Sequence, residues 1–296
     1  MQSLERTIRG TVLFDEPMAR HTSYRVGGPA DVFIVPADID DLAAAVGILH
    51  ERGVAVFILG RGTNLLVRDG GIRGCVVSME EITKIERTDP EVVSAGAGAA
   101  IMEVVNRCME WSLTGLEKLA GIPGSMGGAV VMNAGAHGAY MDSVVNAATM
   151  LGPDGTVYEK TRDQLGLGYR SSKLGGAEII LDVRLSLGSG DREEISQVVT
   201  EKLAWRRDRQ PLSLPSAGSV FKNPPGMPAG RVIAELGFKG TRVGGAEVSE
   251  LHANFIVNRG GARAVDILSL IDRIVLKARD ERGIELEPEI KIIGED

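Results

Sequence analysis

Two cysteines among 296 residues, Cys75 and Cys108, exclude a disulfide scaffold, and their separation excludes a C-x-x-C pair. Four scattered histidines offer no metal-ligand cluster, so no metal is expected. No apolar run reaches the ~18 residues of a membrane span. The stretch Met1 to Arg9 carries Glu5 and lacks the apolar core of a signal peptide, so a cytoplasmic protein is expected. Basic residues are also in deficit, with 33 Lys plus Arg against 40 Asp plus Glu and a net charge of −7. Nucleic-acid and anionic-membrane binding both favour the opposite balance. Aromatic residues are only 4% of the chain.

Glycine is in excess. There are 38 in 296 residues, nearly twice the usual ~7%. Without repeats or low complexity, this points to loops whose backbone approaches something closely. A hydrophobic content of 44% and a charged content of 25% are those of a globular protein, and the length suits two or three compact units.

Helical and strand patterns alternate. Asp40 is placed to cap a helix carrying Leu42, Val46 and Leu49 in step and ending at Gly53. Val54 to Leu59, Leu65 to Val67 and Gly74 to Ser78 read as short strands. Further strands are predicted at Val92 to Gly98, Thr156 to Tyr158 and Ile179 to Leu187. Asp191 with Glu194 marks a helix start, with Ile195, Val198, Val199 and Leu203 on one face and Pro211 as its stop. A second long helix runs from about Arg263 to Arg282, closed by Gly283, and a last strand from Ile284 to Ile293. The predicted division is 1–78 with 284–296, 79–190, and 191–283.

Two glycine-rich segments carry chemistry. Gly60-Arg61-Gly62-Thr63-Asn64 follows a strand but lacks the third glycine of the Rossmann fingerprint, and a β-like segment follows it. It can form an anion nest with Thr63 and Asn64 as added donors; a tight turn explains it equally. Gly121-Ile122-Pro123-Gly124-Ser125-Met126-Gly127-Gly128 has no Gly-Lys-Ser/Thr, so it is not a P-loop. Leading into a short helix, it would aim N–H groups at a diphosphate. Close helix–strand packing is the structural alternative. Two such loops suggest one long ligand with a pyrophosphate in its middle.

From Lys202 to Arg242 there are eight basic residues against Asp208 and Glu235, a local balance that suits an anionic substrate. Within it, Ser219 is flanked by Gly218 in Ser216-Ala217-Gly218-Ser219-Val220-Phe221-Lys222-Asn223-Pro224. No Gly-x-Ser-x-Gly elbow is present, so a serine hydrolase is not expected, whereas a proton-donating hydroxyl is possible. Arg170, in a glycine-flanked loop after Tyr169, could stabilise a developing carboxylate or enolate charge if buried. By alternation Glu289 shares a face with Glu287 and Lys291, opposite Ile290 and Ile292. A turn serine, a surface arginine and a solvent face are the plain readings of these three positions.

Five blocks in order resemble the UDP-N-acetylenolpyruvoylglucosamine reductase family, flavoenzymes of bacterial peptidoglycan synthesis. They are His21 to Asp31, Gly60 to Asp69, Gly121 to Gly138, Tyr169-Arg170 with Ser219 to Pro224, and Pro288 to Lys291. The resemblance implies an α+β, three-domain protein: an FAD-binding fold of the vanillyl-alcohol-oxidase type and a C-terminal substrate domain. It implies FAD as cofactor, NADPH as co-substrate and UDP-N-acetylglucosamine enolpyruvate as substrate, with no metal, no nucleic acid and no membrane insertion; a monomer is expected. Ser219 would be the proton donor, and Arg170 with Glu289 would stabilise the enolate. Gly60, Arg61, Gly62, Thr63, Asn64, Gly121, Gly124, Ser125, Gly127 and Gly128 would contact FAD. Tyr169, Arg209, Lys222 and Asn223 would contact substrate. Thr63 stands where serine is commoner, and Ser171 to Gly176 leads directly to a strand. The chain therefore resembles the shorter class without a tyrosine-bearing loop. An FAD-linked oxidase of the same fold and a non-catalytic nucleotide-sugar-binding module are the competing readings.

Overall fold

The computed structural model describes residues 2–296. The chain forms two compact units, each discontinuous in sequence. One takes the chain through Phe14 with Val32–Arg61 and Gly74–Trp205; the other takes Asp15–Asp31, Gly62–Arg73 and Arg206–Asp296. Each has its own apolar core. Helices and mostly antiparallel sheets are mixed along the chain, which is the expected α+β class. Of the segment Met1 to Arg9, Met1 lies outside the described residues and Gln2–Thr7 is a short helix. No helix among the described residues is long and apolar enough to cross a membrane.

In the first unit, helix Ile39–Glu51 buries Leu42, Ala45, Val46 and Leu49 along one stripe. Its cap is Asp38, not Asp40. The Asp38 carboxylate accepts the Asp41 N–H at 2.9 Å, which leaves Asp40 in the first turn. The strand beginning after this helix starts at Val56, and Val56–Leu59 runs parallel to Ile72–Ser78. Both belong to a four-stranded sheet in the order Thr11–Pro17, Pro29–Val35, Ile72–Ser78, Val56–Leu59. A five-stranded antiparallel sheet follows, in the order Val157–Thr161, Val145–Leu151, Ile179–Ser186, Val92–Gly96, Ile85–Asp89. Its central strand, Ile179–Ser186, begins with three consecutive buried residues and then alternates.

Helix Arg192–Arg209 starts at Asp191, whose carboxylate accepts the Glu193 and Glu194 N–H groups. Ile195 and Val199 are buried, but Leu203 is 39% exposed. Each step of four residues turns about 40° past a full circle, and by Leu203 the stripe has rotated off the covered side.

The second unit has a three-stranded antiparallel sheet, Arg242–Val243, Ala246–Val248 and Ile256–Asn258, and the 19-residue helix Ala264–Arg282. The first two N–H groups of that helix donate to the Asp69 carboxylate, at 2.9 and 3.1 Å. Gly283 ends it with φ 64°. The final ladder is shorter than the pattern predicts: only Lys291–Ile293 pairs, parallel to Leu65–Val67. Before Lys291 the chain makes one isolated antiparallel bridge, Pro288 with Phe221, and no continuous ladder. Its alternation survives, with Leu286 and Ile290 buried and Glu287 and Lys291 exposed.

One carboxylate fixes the edge of the first unit. Asp41 is buried and accepts the backbone N–H groups of Arg9, Gly10 and Ala37, each at 2.9 Å. Burial alone pushes its pKa up, but the three N–H groups and the Arg9 charge together hold it below 3.8. Asp41→Asn turns an acceptor into a donor facing those N–H groups, and should lower the urea-unfolding free energy by about 2–3 kcal/mol at pH 7. The folded pKa lies below the unfolded one, so the contribution is complete above 3.8 and is lost as pH falls through the folded value. The difference between wild type and variant should therefore be flat above about pH 5 and shrink below 3.8.

Candidate functional site

In the first unit the two glycine segments touch. Strand Val56–Leu59 delivers the chain to Gly60, where an added Cβ would lie 2.4 Å from the Ser125 hydroxyl. Ser125 is buried and caps the six-residue helix Met126–Val131 by accepting the Gly128 N–H at 3.4 Å. Gly127 presses on the strand side: its added Cβ would sit 2.9 Å from the Ala97 Cβ. Gly124 has φ 147° and Gly121 φ 78°, so the loop takes a path closed to residues with side chains. Arg61 is exposed beside it.

The first-turn N–H groups at this helix start have partners within the chain. Met126 N–H donates to the Ala99 carbonyl and Gly127 N–H to the Ala97 carbonyl, at 2.9 and 2.8 Å. With the Gly128 N–H taken by Ser125, three first-turn donors are used internally. The two segments approach closely at Gly60, and the second packs closely on Ala97 at Gly127, where neither glycine carries a side chain.

Tyr169 and Arg170 form the tip of a two-residue hairpin whose flanks, Gly168 and Ser171, exchange both backbone hydrogen bonds. Tyr169 is exposed, and the Arg170 guanidinium lies 5.5 Å from its ring centroid. Arg170 takes φ 52°, and its Nη2 donates to the Gly135 carbonyl at 3.0 Å.

In the second unit, Gly62 (φ 60°) is so close to the His21 carbonyl that an added Cβ would lie 2.0 Å from its oxygen. Ser23 N–H also donates to the Gly62 carbonyl at 3.0 Å. Half-buried Thr63 follows, and then Asn64, whose Nδ2 donates to the Glu289 carbonyl at 3.2 Å. Lys291 N–H returns to the Asn64 carbonyl at 2.9 Å. Val220 to Lys222 lies antiparallel to Glu287 to Glu289, through Glu289 N–H to Val220 O (2.7 Å) and Lys222 N–H to Glu287 O (2.9 Å). Ser219, half-buried, therefore stands one residue from the partner of Glu289, after Gly218 at φ 76°. An added Cβ on Gly218 would meet nothing within 4 Å, so the approach to Ser219 is open on that side.

The side chains of Lys222, Asn223 and Arg209 have other settings. The Lys222 ammonium pairs with Glu287, and the Asn223 Oδ1 accepts the Ala229 N–H at 2.9 Å. Arg209 is exposed in the last turn of its helix.

Three features had no clear sequence signal. Buried Asn254 brackets Phe221, accepting its N–H at 2.9 Å and donating to its carbonyl at 2.8 Å. Arg206 Nε and Gln210 Oε1, one helical turn apart, are buried without a hydrogen-bond partner among the described residues. Burial pulls the Arg206 pKa down, and among the described residues no carboxylate pairs with it. Asn133, just past the helix Met126–Val131, bonds across to the Arg170 hairpin. Of these, the sequence marks only Arg206, as a member of the basic stretch. The described residues hold no cluster of three or more metal-ligating side chains.

Comparison with known proteins adds to this geometry. Residues 30–160 match a family model described as an FAD binding domain. Residues 210–293 match one described as UDP-N-acetylenolpyruvoylglucosamine reductase, C-terminal domain. A UDP-N-acetylenolpyruvoylglucosamine reductase from Heliobacterium modesticaldum is 44% identical over 100% of this chain and 95% of its own length. Another, from Geobacter metallireducens, is 47% identical over 99% of this chain and 97% of its own. The crystal structure of the corresponding reductase from Thermus caldophilus superposes with a TM-score of 0.82, at 36% identity, covering 96% of this chain and 99% of that one. A Physcomitrella patens BBE-like 1 variant, 16% identical with a TM-score of 0.50 over 64% of this chain and 44% of its own, shares the fold.

Gly62→Ala must move the backbone at His21, and should weaken flavin retention at least ~10-fold in a fluorescence titration of the refolded apoprotein. Gly47→Ala is the control: it lies in helix Ile39–Glu51 with nothing within 4 Å of the added Cβ. It should leave flavin affinity unchanged and raise stability by about 0.5–1 kcal/mol.

Proposed function

Because the chain belongs to the UDP-N-acetylenolpyruvoylglucosamine reductase family, we propose that it is the FAD-containing enzyme that reduces UDP-N-acetylglucosamine enolpyruvate to UDP-N-acetylmuramate with NADPH. This is a step of peptidoglycan precursor synthesis, on which cell-wall growth, cell shape and division depend. The observation that carries the reading is identity of 44–47% over essentially the full length of both chains. It covers the glycine loops and the Ser219 and Glu289 segments alike.

The fold is the FAD-binding type of the vanillyl-alcohol-oxidase class with a C-terminal α+β part. We divide it into 1–78 with 284–296, 79–190, and 191–283; the parallel pairing of Lys291–Ile293 with Leu65–Val67 supports returning the last strand to the first part. FAD, when bound, supplies hydride transfer from NADPH to C3 of the enol ether. The glycine segments Gly60 to Asn64 and Gly121 to Gly128 would hold it, since their glycines allow the backbone close approach.

The remaining chemistry belongs to side chains. Hydride addition at C3 leaves an electron pair at C2, which the neighbouring carboxylate delocalises as an enolate. Arg170 supplies a fixed cation for that charge, and Glu289 in its acid form supplies a hydrogen-bond donor. The Ser219 hydroxyl delivers the proton to C2 on one face, which sets the D-lactyl configuration. Tyr169, Arg209, Lys222 and Asn223 are assigned to substrate binding. For Lys222 this requires exchanging its contact with Glu287, an exposed ion pair of low cost. The reading extends to a cytoplasmic location, where soluble nucleotide substrates are available, and to a monomer.

Ser219→Ala should leave anaerobic bleaching of the flavin by NADPH nearly intact and slow its reoxidation by the enolpyruvyl sugar nucleotide ~100-fold or more. Stopped-flow absorbance separates the two halves. Equal damage to both would remove the proton-donor assignment, and bleaching of the wild type without reoxidation would remove the substrate.

A further inference from the structure

Three residues of the first unit other than glycine take left-handed backbone within reach of one another in sequence or by hydrogen bond: Asn133 (φ 40°), His137 (φ 52°) and Arg170 (φ 52°). Such conformations persist only where surrounding contacts over-determine them. The contacts here are specific. Asn133 follows helix Met126–Val131 at the position where glycine is the usual terminator. The backbone there does what a terminator does: Asn133 N–H reaches the Val130 carbonyl at 3.0 Å and Ala134 N–H the Ala129 carbonyl at 2.8 Å.

In a chain so rich in glycine, the side chain at this position needs a separate reason. It is 2% exposed and both ends of its amide are used. Oδ1 accepts the Asp142 N–H at 2.9 Å, and Nδ2 donates to the Gly168 carbonyl at 3.0 Å, 35 residues away. That carbonyl also accepts the Ser171 N–H at 3.2 Å, the bond that closes the hairpin around Tyr169 and Arg170. Two residues after Asn133, the Gly135 carbonyl accepts the Arg170 guanidinium at 3.0 Å. The segment 133–135 therefore grips the hairpin at its base and at its arginine.

We infer that Asn133 is a positioning residue for Arg170: its amide locks the 168–171 hairpin that holds Arg170 in left-handed backbone and aims the guanidinium. The inference rests on the charge-stabilising role proposed for Arg170. Aspartate at this position would keep the acceptor for Asp142 but set an oxygen against the Gly168 carbonyl. Glycine would keep the helix terminator, tolerate the positive φ and delete both side-chain bonds, so folding is preserved while the lock is lost.

The test uses the FAD-loaded protein, uniformly 15N-labelled, and begins with amide hydrogen exchange. In Asn133→Gly, the Ser171 and Asp142 amides should exchange at least ~10-fold faster while the Ala134 amide keeps its protection. In Asn133→Asp, only Ser171 should respond. In stopped-flow, Asn133→Gly should slow reoxidation by the enolpyruvyl sugar nucleotide ~30-fold or more, with NADPH bleaching within ~3-fold of wild type. Combined with Arg170→Ala it should add nothing to the loss that Arg170→Ala causes alone, because both act through one group. Unchanged Ser171 exchange in Asn133→Gly, or slowing additive with Arg170→Ala, overturns the inference. If the wild type fails to reoxidise, the proposed substrate falls, and the Ser171 exchange alone decides whether Asn133 locks the hairpin.

Discussion

The antiparallel seam between Val220–Lys222 and Glu287–Glu289 is the constraint on which the second unit depends. It joins segments more than sixty residues apart through only two backbone hydrogen bonds. Short seams are weak, since one such bond contributes about 1 kcal/mol net. The other edge of the segment is therefore completed by a side chain. Asn254 takes both polar groups of Phe221, and its own carbonyl accepts the Val220 N–H at 2.8 Å. With both edges satisfied, Phe221 is driven into the apolar core and Ser219 is held at a fixed distance along the chain from that anchor. Proline at 288 suits the seam because the pairing uses the N–H groups of residues 287 to 291 selectively and none is required there.

Much of this was legible in the residues. The glycine segments, the helix stop at Gly283 and the strand at Ile179 follow from spacing and composition, while the five ordered blocks carry a resemblance to the family. What was not legible has a common physical origin. Asn133 and Asn254 act through partners 33 to 35 residues distant, and asparagine has equally good local uses in turns and caps. The start of helix Ile39–Glu51 was displaced because Asp38, Asp40 and Asp41 all suit a helix N-terminus; only the fold decides that Asp38 caps and Asp41 turns inward. A glycine run shows freedom of the backbone but not which carbonyls take its N–H groups, here Ala99 for Met126 and Ala97 for Gly127.

The buried polar groups divide into two kinds. Asp41, Glu247 and Asn254 are saturated by partners: Glu247, 1% exposed, is held by Arg242 and Arg259, which keep its carboxyl below the ordinary range. These groups specify the fold. Arg206 Nε, Gln210 Oε1 and the Tyr24 hydroxyl are buried without partners among the described residues, and burial pushes the Tyr24 phenol up. A polar atom left unsatisfied costs about 1–3 kcal/mol, so such groups concentrate where selection acts on something other than stability.

The parallel ladder between Leu65–Val67 and Lys291–Ile293 has a consequence for how the protein is made. The earlier strand leaves the ribosome more than two hundred residues before its partner, which at bacterial-to-eukaryotic elongation speeds is a wait on the order of ten to forty seconds. Asp69, which caps helix Ala264–Arg282, waits nearly as long for its donors. The first unit can collapse around its own core as its chain emerges, but the second closes only when synthesis has nearly passed through it. During that interval Leu65, Leu66 and Val67 lack the partner that completes their ladder, and the apolar segment left waiting is only three residues long, flanked by Asn64 and Arg68.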